Sequence, residues 1–219
     1  MLASSLRCAR IATRPSTTLR LRGSRCVSTL PGNSTIYVFE HPIEPDTSLL
    51  SLLPTNPPNA SLAIGTAKAI PPTPDNFTEN PQFLGILQSV LYTYAEQDPF
   101  VKQQAATFAS PGGFNLGYGG RSGAGPTGSQ GGMGGANRGG WIHVSDMRNP
   151  PDYGRIAWPE DIFGSLEVDG HGRFIDGGNY QPSGTYRMVT REGILGLPPF
   201  LREKLVERLQ QLDQQSKIK

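Results

Sequence analysis

The chain predicts an α+β fold: a mostly antiparallel sheet packed by a helical hairpin and a C-terminal amphipathic helix, with a long disordered Gly-rich insert. Three observations lead there. Two consecutive segments between residues 80 and 110 carry helix caps and helical apolar spacing. A leucine stripe at helical spacing lies near the C-terminus. The remaining apolar segments are short and strand-patterned, separated by Pro, Gly and turn residues.

Taken in order, STIYVFEHP (34–42) reads as a strand with material on both faces, stopped by Pro42. SLLSLLP (48–54) is short enough to be a single helical turn. SLAIGTAKAI (61–70) reads as a second strand broken at Gly65. Asn80-Pro81 is a helix start, with Asn as N-cap and Pro in the first helical position. Phe83, Leu84, Leu87, Val90, Leu91 and Tyr94 then recur on one face. Asp98-Pro99 repeats the cap for a second helix bearing Phe100, Val101, Ala105 and Phe108, which ends near Ser110. WIHVSD (141–146) is a strand, SLEVDGHGRFI (165–175) a hairpin around Asp169-Gly170, and GTYRMVT (184–190) another strand. The segment 198–215 is an amphipathic helix striped by Leu201, Leu205, Leu209 and Leu212. The stripe suits a core face better than a docking face.

Residues 111–140 hold 14 of the chain's 27 glycines. Ordering this stretch would cost about 30 kcal/mol, at about 1 kcal/mol per residue or more. The sizeable apolar groups available to offset that are Phe114, Leu116, Tyr118 and Met133. Closing it as a loose loop costs only about 3 kcal/mol. It therefore reads as a flexible insert between two halves of one domain, 28–110 and 141–219. Its Gly123-Ala124-Gly125-Pro126-Thr127-Gly128 matches the dinucleotide fingerprint by letter, but no strand delivers it and no helix follows.

The first 27 residues are of another kind. Arg7, Arg10, Arg14, Arg20, Arg22 and Arg25 stand among Ser, Thr, Leu and Ala with no acid; the first carboxylate is Glu40. That is the composition of a mitochondrial transit peptide, and Arg25-Cys26-Val27-Ser28 places cleavage near Val27/Ser28. Cleavage would remove both cysteines, Cys8 and Cys26, and with them thiol ligands and nucleophiles. It also takes six of the 20 basic residues, leaving 14 against 18 acids, a net −4. Such a balance disfavours nucleic acid as a partner. No apolar run is long enough for a membrane-spanning helix.

No catalytic, cofactor or metal motif emerges. His41, His143 and His171 lack metal-site spacing. In HVSD, strand alternation turns Asp146 away from His143 and Ser145, so the three form no relay. The segment richest in recognition chemistry is 146–161, DMRNPPDYGRIAWPED, where Arg148, Asp152, Tyr153, Arg155, Trp158, Glu160 and Asp161 are the candidate partner-binding residues. The competing reading is that Arg–carboxylate pairs pin an irregular crossing over a core Trp158. The sequence leads to a non-enzymatic accessory or assembly protein of the mitochondrial matrix that binds another protein, with no cofactor. The alternatives are a small matrix enzyme using Asp/Glu/Arg chemistry in 146–161, and a mitochondrial ribonucleoprotein component.

Overall fold

A computed structural model describes residues 28–44, 46–109, 139–151 and 155–218. The expected transit peptide and most of the Gly-rich insert lie outside them. The fold is α+β, with antiparallel strands and a C-terminal helix. The first sheet is a five-stranded meander: β1 Ser28–Leu30, β2 Asn33–Glu40, β3 Ser48–Ser51, β4 Gly65–Ala67 and β5 Phe77–Glu79. Residues 48–51 are thus a strand rather than a helical turn. Pairing on both sides decides it, with Leu49 opposite Phe39 and Thr66, and Leu50 opposite Val38 and Gly65. Gly65 does not break a strand but begins β4, and a Cβ there would meet the Thr78 carbonyl at 2.3 Å. The residues before it, Ala60–Leu62, form a 3-10 turn capped by Asn59.

Helix α1, Pro81–Tyr94, starts at the expected cap. Asn80 Oδ1 accepts from Gln82 N at 3.0 Å, while its Nδ2 donates to the carbonyls of Ala60, Ser61 and Ala63. One side chain therefore caps α1 and fastens it to the turn before β4. A 3-10 turn leads into α2, Pro99–Ala109, whose cap is Asp98: Oδ1 accepts from Phe100 N at 3.1 Å.

The second sheet holds β6 Gly140–Ser145, β7 Ile162–Val168 and β8 Gln181–Pro182 in that order. The expected 165–175 hairpin reduces to a turn closed by Asp169 and a single bridge between Val168 and Phe174. Of 184–190, only β9 Val189–Thr190 is strand, paired with β10 Gly193–Ile194. Helix α3, Pro199–Ile218, lays Leu201, Leu205 and Leu209 fully buried against α1, so the leucine stripe is core. Each buried leucine contributes about 1.5–3 kcal/mol. The main core is one cluster joining the three sheets and the three α-helices of the described residues. No helix among the described residues is long and apolar enough to cross a membrane.

Candidate functional site: a cleft between α2 and the edge of β6

The stretch 146–161 divides into two chemically different parts. One is a buried polar knot. The Arg148 side chain is 3 % exposed, and its guanidinium is engaged through all three nitrogens. Nε donates to Asp161 Oδ1 at 2.7 Å and Nη1 to the Met188 carbonyl at 3.0 Å, while Nη2 donates to the carbonyls of Glu160 and Arg187 at 2.9 Å. Asp146 Oδ2 stands 3.7 Å from Nη1. The Asp146 carboxylate also accepts from Arg148 N, Gly196 N and the Tyr186 hydroxyl at 2.9–3.0 Å. Burial raises the Asp146 carboxyl pKa, opposed by the Arg148 charge and these bonds. Burial and the neighbouring Asp146 push the Tyr186 hydroxyl well up, so it stays a donor. Gly196 is required where it stands: a Cβ would come within 2.8 Å of Arg148 N and 2.9 Å of Asp146 Oδ1. The groups in this knot have their bonding capacity spent within the fold, leaving little for a substrate.

The other part is a wall of an open cleft of about 420 Å³, formed by α2, β6, the loop after β6 and Pro198. Phe100, Trp141, Met147 and Ile156 line it while remaining 38–43 % exposed. Phe108 also lines it, its ring so close to Gly140 that a Cβ there would come within 2.7 Å. The polar lining is sparse. Asp98 is buried, and its Oδ2 has no hydrogen-bond partner among the described residues. Burial raises its carboxyl pKa against the bond from Phe100 N. His143 Nδ1 sits 2.8 Å from Ser165 Oγ across the strand pair, and burial lowers the imidazole pKa, keeping it neutral at pH 7. Among the described residues no group of three or more His, Cys, Asp or Glu is placed to hold a metal ion.

The residues singled out from the sequence separate accordingly. Arg148 and Asp161 are interior and belong to the knot. Glu160 offers its carbonyl to the knot and is otherwise exposed. Arg155 is exposed and lines the cleft. Trp158, next to the cleft residues Ile156 and Ala157, is 69 % exposed and not a core residue. Asp152 and Tyr153 lie outside the described residues. Sequence reasoning missed Phe100, Phe108, Trp141, Met147 and Ile156. The available signal was phase: Trp141 alternates against the buried Ile142 and Val144, and Phe100 adjoins the buried Val101. His41 and His171 lie elsewhere, the first bonding the turn after β2 through Glu44 N.

The fold and site together define an α+β protein with a preformed apolar cleft between a helix and a sheet edge. The chain matches no family model, and neither a curated protein nor a solved structure matches it significantly.

Proposed function

We propose that this chain is a non-enzymatic mitochondrial accessory or assembly protein that binds another protein through the α2–β6 cleft and the flanking residues Arg155, Ile156 and Trp158. One observation carries the reading: large apolar side chains stay exposed around a concave site whose walls are fixed by buried groups. Clustered exposed aromatics beside an arginine are what protein interfaces concentrate. The Arg-rich, acid-free first 27 residues support the mitochondrial part. A cut at Val27/Ser28 would leave β1 intact, since that strand begins at Ser28. Asp/Glu/Arg catalysis draws no support from the loop, because Arg148 and Asp161 bond to each other inside the fold.

A photo-crosslinking amino acid at position 158 or 156, carried on the full chain in cells, tests this. In isolated mitochondria it is expected to give a discrete protein adduct. Position 92 should give none, although Tyr92 is as exposed as Trp158 at 69 %. A chain confined to the cytosol overturns the mitochondrial claim. Absence of a discrete adduct from both position 156 and position 158 overturns the binding claim.

A further inference from the structure

We infer that the cleft takes an extended polypeptide segment as an added strand on the free edge of β6, its apolar side chains seated against α2. The inference rests on the reading of the cleft as a protein-binding site and names the form of the partner. Side chains of successive strand residues point to opposite faces, yet the cleft meets every residue from Trp141 to Met147. A surface that touches a strand without skipping runs along its edge.

The backbone groups on that edge can be assigned. On β7 the carbonyls of Phe163 and Glu167 accept from Ser183 N at 2.9 Å and Ile175 N at 3.2 Å, so these residues turn away from β6. In an antiparallel ladder the N–H and C=O of one residue share a side, and the side alternates along the strand. Gly164, Leu166 and Val168 therefore bond toward β6, opposite Val144, Ile142 and Gly140. Trp141 and His143 are left with their N–H and C=O directed outward, and beyond the register shift after Val144 the bond from Asp146 N to the Asp161 carbonyl leaves Ser145 facing outward too. The short contact between His143 and Ser165 agrees, because pairs without mutual backbone bonds bring their side chains closest. β6 is the outer strand of its sheet, and among the described residues no strand lies on its other side.

Edges meant to stay unpaired are blunted by Lys, Pro or an inward charge. The β6 sequence GWIHVS has none of these. Across the cleft, Phe100, Gln104 and Phe108 recur every fourth residue, so one face of α2 forms the opposite wall. An open strand edge facing a helix is the geometry of strand addition, where backbone bonds hold the ligand and pockets read alternate side chains. The Asp98 carboxyl borders the cleft with its Oδ2 buried and, among the described residues, unpartnered, so it disfavours an acidic segment beside it. The occupant is an extended segment with apolar residues at alternate positions and no carboxylate among them. At about 3.4 Å per residue, roughly six residues match the length of β6.

The probe is a set of roughly ten-residue peptides, long enough to span the edge, selected from a displayed random library on the full chain. Amide hydrogen exchange and affinity are then read on the purified protein. Bound peptide is expected to protect the amides of Trp141, His143 and Ser145 and to leave those of Ile142 and Val144 unchanged. His143→Pro and His143→Val both lose the imidazole, but only proline lacks the N–H, and an edge strand tolerates it where that N–H faced outward. Affinity should fall about tenfold with proline and less than about threefold with valine, the loss belonging to one unmade backbone bond. Should the proline variant fail to fold, the exchange pattern on the natural chain decides alone. Equal affinities with no new protection overturn strand addition, while a mitochondrial adduct from position 158 would still stand. So does finding no peptide that binds the cleft, or finding the three amides already protected in the free chain by residues 111–138 or by a second copy. Loss of the mitochondrial adduct with strand addition intact would fell the proposed function instead.

Discussion

The knot around Arg148 and the cleft beside it draw on the same short stretch of chain, and they are opposites. In the knot, a cation and two carboxylates are buried, and four carbonyl or carboxylate oxygens converge on one guanidinium at 2.7–3.0 Å. In the cleft, aromatic and aliphatic groups face outward, and a buried carboxylate oxygen beside them has no hydrogen-bond partner among the described residues. Satisfied polar groups rigidify a fold, whereas unsatisfied ones and exposed apolar surface mark where something else is to bind. The first region holds the wall of the second: Asp146 follows the last residue of β6 and lines the cleft, while its carboxylate anchors the loop to Gly196 and Tyr186.

The contrast is most vulnerable at Arg148. Arg148→Met leaves Asp146 and Asp161 buried without their cation and strands the carbonyls of Glu160, Arg187 and Met188. The expected cost is about 3–5 kcal/mol, a fall in Tm of about 6–20 °C for a domain this size. Urea denaturation checks it, and a loss under about 1 kcal/mol would mean the knot behaves as a surface pair.

Asp98→Asn probes the same contrast from the cleft side. Burial raises the Asp98 carboxyl pKa in the folded chain. The contribution of this group to stability is therefore complete at pH values below its unfolded pKa. It is lost as pH rises through the raised folded value, where ionisation buries a charge. Asparagine keeps an oxygen for the Phe100 cap and does not titrate. The variant should gain on the natural chain as pH rises above about 4; parallel stability curves would contradict a buried, titrating Asp98.

The smallest stability effect is expected at Trp158. Trp158→Ala should change unfolding free energy by no more than about 0.5 kcal/mol, as for exposed sites generally, yet weaken partner capture. A drop comparable to Arg148→Met would return Trp158 to a structural role.

Features that act over a few residues are legible in the sequence, because spacing suffices to find them. The caps at Asn80 and Asp98, the amphipathic stripe of Leu201, Leu205 and Leu209 and the strand phase of Ile142 and Val144 are of this kind. β3 is not, because SLLS becomes a strand only between β2 and β4. Nor does the sequence tell Arg148 from Arg155. What separates them is the arrival of Arg187 and Met188, some 40 residues later in the chain, beside one guanidinium and not the other.

Neighbours in the chain suffice to set the α+β class, the helix starts, the core face of the last helix and the Arg-rich character of the first 27 residues. Tertiary contacts decide which of the described charges of 146–161 are spent inside the fold, which of its aromatics stay outside, and that β6 is the outer strand of its sheet among the described residues. These depend on which distant backbone groups come to lie alongside, and no local spacing encodes that.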